Sequence, residues 1–143
     1  MAVLLDVSAL IALLDPDHAS HQTVNDWMAI NSLERWASCP ITENGYVRIV
    51  SQPSYPHPLT IGLALAALTA ARNSPRHEFW PCDISVADAQ RVDTSLVLGP
   101  AQVTDTYLLA LAVARRGRFV TLDRRASLAA VPGATRTSVV LLA

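Results

Sequence analysis

Two short apolar runs in this chain close on a carboxylate: VLLD ends at Asp6, and RFVTLD ends at Asp123. Two longer apolar segments open on one: Glu43 lies near the head of PITENGYVRIV, and Asp105 near the head of TDTYLLALAVA. Apolar runs this short read as buried strands, and the longer segments have helical spacing. A carboxylate at the end of a buried strand or the start of an apolar helix is unfavourable unless its charge is answered. The pattern therefore restricts the chain to folds in which strand ends and helix starts meet at one edge. An open α/β sheet provides this, because its crevice lies beyond the carboxyl ends of the strands. Several carboxylates gathered there imply a hard divalent cation with oxygen ligands, Mg²⁺ or Mn²⁺. Such a cation anchors phosphates, which points to chemistry on a phosphate ester.

The rest of the chain supplies the alternation. Residues 2–6 predict a strand, followed by a helix capped by Ser8 and ended by Asp15-Pro16-Asp17. Val24, Trp27, Met28 and Ile30 mark a helix over 20–31, and a strand follows at 35–37. Ser38 and Pro40 suit the start of the helix that carries Glu43, since proline lacks only an N–H that would be unpaired there. The stretch 51–58, SQPSYPHP, is a proline-rich loop. Further helices are expected over 59–72, 85–92 and 103–116, the last ended by Gly117. Strands are expected at 77–81, 118–122 and 138–142. Strands separated by helices pair in parallel through right-handed crossovers. The expected architecture is α/β: a three-layer fold with a central, mostly parallel sheet flanked by helices. The 143 residues, 51% of them hydrophobic, suit a single domain spanning 1–143.

Composition excludes several chemistries. All eleven basic residues are arginine. A P-loop needs its lysine, as do haloacid-dehalogenase phosphatases, response-regulator receivers and Schiff-base enzymes. The net charge of −1 offers no bulk attraction for nucleic acid. Arginine is nevertheless concentrated near Asp123 in sequence, at positions 115, 116, 118, 124 and 125. Arg124 and Arg125 are the candidates for contact with a substrate phosphate; Arg115 and Arg116 equally suit a helix C-terminus. Cys39 and Cys82 have no CxxC spacing, so no disulfide framework is expected. No apolar run is long enough for a membrane span, and the first residues lack the basic start of a signal peptide. A cytoplasmic setting is expected.

Each acid also has an ordinary structural use. Asp6 can cap a helix, Glu43 and Asp105 can favour helix dipoles, and Asp123 can sit in a turn. It is their joint occurrence in order that points to a site. Asp15 and Asp17 read as turn residues, and Asp83, Asp88 and Asp93 as a solvated helix and its start. His18 and His21 have no evident third metal ligand and suit capping. Trp27, Trp36 and Trp80 read as core. Tyr55 and His57, on the proline-rich loop, are the better candidates for contact with a substrate or a partner.

The words LLDVSALIALLDPDHASH, CPITENGYVRIVSQP, VTDTYLLALAVARRG and FVTLDRR, in this order and spacing, cover nearly the whole chain. Together they resemble the PIN-domain family and, within it, the VapC-type toxins of toxin–antitoxin modules. The resemblance implies a Mg²⁺- or Mn²⁺-dependent endoribonuclease that forms a homodimer and is neutralised by a cognate antitoxin. By position it implies catalytic roles for Asp6, Glu43, Asp105 and Asp123. Asp6 and Asp105 would be direct metal ligands, with Ser8 and Thr104 as supporting hydroxyls. A PIN-fold nuclease working in RNA processing or on DNA, and a non-catalytic PIN-like binding module, are the alternative uses of the same framework.

Overall fold

The computed structural model describes residues 1–142. Its centre is a five-stranded sheet in the order β3-β2-β1-β4-β5, with every pairing parallel. Strand β1, Ala2–Leu5, lies in the middle and is buried along its whole length. It is flanked by β2, Arg35–Ser38, and β4, Arg118–Thr121. The edges are β3, His77–Phe79, and β5, Val139–Leu141. A strand covered on both faces needs an unbroken apolar sequence, which explains why β1 reads AVLL without alternation.

Alternate side chains of β1 enter two different cores. Val3 and Leu5 pack with residues of α1 (Val7–Leu14), α2 (His21–Ile30), α3 (Pro40–Val50) and α4 (Ile61–Arg72). Ala2 and Leu4 pack on the opposite face, against the apolar stretch Leu108–Ala112 of α5, Val103–Ala114. The three-layer α/β expectation is met, and the sheet is parallel throughout. After β1 the chain builds the sheet outward through β2 and β3, then returns to β4 on the other side of β1. That reversal opens a crevice between the carboxyl ends of β1 and β4, where Asp6 and Asp123 stand.

Local chemistry moves several predicted boundaries. The cap of α1 is Asp6, whose side chain accepts from Ala9 N; Ser8 lies inside the helix. Helix α4 starts at Ile61, because Thr60 caps it through Leu63 N. Strand β3 stops at Phe79, although the ladder continues by one bond from Trp80 N–H to Ser38 O. No helix forms over 85–92. Ser85 Oγ accepts from Ala87 N and Asp88 Oδ1 accepts from Gln90 N, so side chains hold this stretch as consecutive turns. Helix α5 ends at Ala114, and the left-handed residue behind it is Arg116, at φ 57°, in place of the predicted Gly117. The bonds Gly117 N→Ala112 O and Arg116 N→Val113 O complete this C-terminal motif. Gly117 is needed for space: a Cβ there would lie 2.5 Å from the Ala2 carbonyl oxygen.

The arginines adjacent in sequence to Asp123 divide between the two ends of β4. Arg115, Arg116 and Arg118 lie at its amino end and do not surround the acid. Arg115 pairs with Asp83 at 3.1 Å, and Arg118 pairs with Glu34. Trp36 and Trp80 are buried as expected, while Trp27 is half-buried beneath the Arg118 guanidinium. His21 Nδ1 contacts Ala12 O at 2.7 Å and His18 Nδ1 accepts from Ser20 N, so both histidines serve the α1–α2 turn. Tyr55 turns inward and donates its phenol to Asp15.

Candidate metal and active site

The β1–β4 crevice gathers three acids. Single carboxylate oxygens of Asp6, Asp105 and Asp123 all lie within 4.8 Å of one another. Asp6 directly follows β1, Asp123 lies two residues beyond the end of β4, and Asp105 is in the first turn of α5. They line a cavity of about 210 Å³ together with Ser8, Ile11, Ile49 and Arg125. A larger cavity of about 610 Å³ opens at the amino ends of the strands, around Met1, Glu34, Arg116 and Arg118, and among the described residues it has no cluster of acids.

Asp6 is 2% exposed and tightly held. Its Oδ1 accepts from Ala9 N at 2.7 Å and Ser8 Oγ at 2.9 Å, while Oδ2 accepts from Thr121 Oγ1. Thr121 Oγ1 also accepts from Asp123 N at 3.1 Å, tying the two strand-end acids together. Burial raises the Asp6 pKa above its ordinary value against these bonds, with a smaller contribution from Asp123. Asp105 is shifted further. Burial, then the charges of Asp6 and Asp123, raise it to about 7. Arg125 works against this shift, and its Nε lies 3.7 Å from Asp123 Oδ2. One arginine at the rim thus faces three carboxylates, leaving a surplus of negative charge in a small cavity. Oxygen donors from three elements, converging with their charge unanswered, fit a divalent cation.

Glu43 stands outside this trio. It is in the first turn of α3 and is buried, but its Oε2 accepts from Ser38 Oγ at 2.6 Å and its Oε1 faces Arg72 Nη1 at 3.3 Å. Its charge is answered on the β2 side of the crevice. Thr104 is exposed, and among the described residues its side chain makes no hydrogen bond to the acids. The hydroxyls that do so are Ser8 and Thr121. Thr121 is inconspicuous in the sequence because β-branched residues are ordinary in strands. The signal available was a hydroxyl inside an otherwise apolar run, two residues before Asp123. Both arginines are exposed; Arg125 lines the cavity and Arg124 does not.

Helix packing brings α3 alongside the site. A Cβ on Gly45 would lie 2.7 Å from Val7 Cγ2, so only glycine allows α3 this close to the start of α1.

A parallel sheet with acids at the carboxyl ends of β1 and β4 and at the start of α5 defines an α/β protein whose acid cluster fits a divalent cation. The sequence model of the PIN domain matches residues 3–133, and the chain belongs to the PIN-domain family. Within it, the similarity runs to proteins named as VapC ribonucleases. Ribonuclease VapC44 of Mycobacterium tuberculosis (strain ATCC 25618 / H37Rv) is 50% identical over 136 residues, covering 95% of this chain and 96% of that protein. Ribonuclease VapC39 of the same strain is 41% identical over 124 residues, covering 86% and 89%. Among solved structures, the crystal structure of VapBC2 from Rickettsia felis bound to a DNA fragment from their promoter matches with a TM-score of 0.58. It covers 86% of this chain and 88% of that chain at 15% identity, a likeness of fold alone.

Proposed function

We propose that this chain is the endoribonuclease toxin of a toxin–antitoxin module, hydrolysing RNA phosphodiester bonds at Asp6, Asp105 and Asp123. The observation that carries the proposal is the convergence of these three carboxylates within 4.8 Å. Identity of 50% to a ribonuclease across 95% of the chain supports the substrate class.

Asp6 and Asp105 would hold Mg²⁺ or Mn²⁺ directly, and Asp123 would hold a water of its coordination shell. A cation bound there supplies a water of lowered pKa and neutralises charge developing on the phosphoryl oxygens. The chain's own residues do the rest. Ser8, Ala9 N–H and Thr121 fix the Asp6 carboxylate at the crevice, with Oδ1 accepting two bonds and Oδ2 one, which leaves acceptor capacity on Oδ2. Asp105, holding a proton up to about pH 7 in the metal-free protein, must release it as the site loads. Arg125 at the rim, with the exposed Arg124 beside it, offers guanidinium donors to an RNA phosphate. Glu43 acts from the flank, its charge already answered by Arg72.

The partners follow from the same reading: an RNA substrate, a cognate antitoxin that covers the acidic crevice, and a second copy of this chain. Ile61, Leu63 and Leu65 of α4 are exposed and give an apolar surface for association. Among the described residues no helix is long and apolar enough to cross a membrane, and the proposed setting is the cytoplasm.

The test is cleavage of total cellular RNA by the purified protein with Mg²⁺ or Mn²⁺, with EDTA, and with Asp105→Asn. Discrete fragments that require both the metal and Asp105 are expected. Cleavage of DNA in place of RNA would move the assignment to a DNA nuclease. Folded protein that binds neither cation would leave only a binding module.

A further inference from the structure

His77 has no bond to the three clustered acids, yet it is linked to Glu43, the sequence-predicted acid that stands beside them. The sheet register brings this about. Trp36 pairs with His77 and Ser38 with Phe79, so these four side chains share one face. Trp36 packs with α3 and α4, which cover that face. Only Cys39 separates Ser38, the last residue of β2, from the start of α3. The buried Ser38 hydroxyl therefore lies under the helical turn that carries Glu43. Its Oγ is 2.6 Å from Glu43 Oε2 and 2.8 Å from His77 Nε2. Arg72 Nη1 donates to the other carboxylate oxygen, Oε1, at 3.3 Å, and the same guanidinium lies 4.9 Å from the Phe79 ring centroid. The half-buried His77 ring stands against Trp36, with centroids 4.5 Å apart.

Proton counting gives these contacts a direction. A carboxylate paired with a guanidinium accepts and has no proton to give. Ser38 has a single hydroxyl proton, and it goes to Glu43. Ser38 Oγ is then left as an acceptor toward the imidazole, and His77 must present Nε2–H. Burial, then the charge of Arg72, lowers the His77 pKa below its ordinary value, against the opposing charges of Glu43 and Glu78. In neutral solution the ring is therefore uncharged, with one N–H, and Ser38 selects the Nε2–H tautomer.

We propose that His77 is a positioning residue for phosphodiester hydrolysis, fixing the Glu43 carboxylate at the flank of the crevice through Ser38. This role rests on the nuclease reading above. A hydroxyl proton rotates to whichever acceptor suits it. The His77 N–H occupies the acceptor side of Ser38 Oγ and so directs its proton at Glu43. Ser38 from β2 and Arg72 from α4 then hold one carboxylate oxygen each, and Glu43 keeps a single orientation.

The experiment compares wild type with three variants. His77→Phe keeps a ring against Trp36 and lacks the N–H. His77→Gln restores an N–H the same number of bonds from the backbone. Ser38→Ala removes the link itself. Cleavage kinetics with Mn²⁺, on an RNA carrying a site mapped from total cellular RNA, are read beside nitrogen NMR of the histidine rings. In wild type His77 Nε2 is expected to be protonated and Nδ1 bare. His77→Phe and Ser38→Ala should each lower kcat about 10–100-fold with KM little changed. The double variant should lose no more than either single one, and His77→Gln should recover most of the rate. The ring NMR needs no variant, and Ser38→Ala leaves His77 in place, so the test stays decisive even where His77→Phe does not fold. With wild type cleaving, a His77 ring protonated at Nδ1 alone, a fully active folded His77→Phe, or losses that add in the double variant overturns the positioning role. Folded wild type that cleaves RNA with neither Mg²⁺ nor Mn²⁺ removes the nuclease reading itself, and the role with it.

Discussion

Replacing Asp105 by asparagine should stabilise the metal-free protein while abolishing its metal response. Asp105 has a folded pKa of about 7 against an ordinary value of 3.8, caused first by burial and then by Asp6 and Asp123. A raised carboxyl pKa means the native state holds more protons than the unfolded chain between these two values. Its contribution therefore falls as pH rises through the window, and the loss is complete above about pH 7. At about 1.36 kcal/mol per pKa unit, the full shift corresponds to roughly 4 kcal/mol. Asp105 is only half-buried, and solvent screening reduces this to about 2 kcal/mol. For a chain of this size that is about 6 °C in Tm. The assay is thermal unfolding in EDTA from pH 4 to pH 8. Wild type and Asp105→Asn should melt together near pH 4, and the variant should melt about 6 °C higher at pH 8. Adding Mn²⁺ at roughly 100 times its Kd should then raise wild type by about 2.7 kcal/mol and leave the variant nearly unmoved. Equal pH slopes in the two proteins would refute the reasoning, because the acids would then not be repelling one another in an uncompensated site.

Three other substitutions probe separate parts of the structure. Thr121→Val removes the hydroxyl shared by Asp6 and Asp123; unfolding in urea should show a loss of about 1–3 kcal/mol, and calorimetry should show Mn²⁺ affinity down about 10–100-fold. Gly45→Ala places a Cβ 2.7 Å from Val7 Cγ2 and should destabilise by about 1–3 kcal/mol, with Val7→Ala in the same chain recovering part of the loss. A neutral result for Gly45→Ala alone would mean that α3 can move off α1 freely. Arg116→Gly relieves a left-handed residue at φ 57° and should raise the urea midpoint, by about 0.5–1 kcal/mol of stability.

Much of the molecule is determined by local sequence alone. Strands β1 and β4 are short apolar runs whose burial leaves them no other use, and α5 is an apolar segment too long for a strand. Asp6, Asp105 and Asp123 announce themselves because a charge at the end of such a segment has to be answered, and their order matches the PIN-domain pattern. Single residues mislead where two local solutions compete. Ser8 and Asp6 can both cap α1, and the carboxylate, a stronger acceptor for Ala9 N–H, takes the position. The stretch 85–92 has helix-compatible residues, but the side chains of Ser85 and Asp88 bond the backbone two residues on and divert it into turns.

What only tertiary structure decides is which partners meet across the sheet. Glu43 looks like a fourth member of the acid cluster, but Ser38 on β2 and Arg72 at the end of α4 engage it first. Thr121 becomes a site residue because β1 and β4 are neighbours in register, an arrangement no local pattern encodes. Hydrophobic periodicity is a property of neighbours along the chain, so it specifies elements and their buried faces. Charge compensation and hydroxyl sharing depend on strand order and helix approach, and these are settled when the two cores on either side of β1 close.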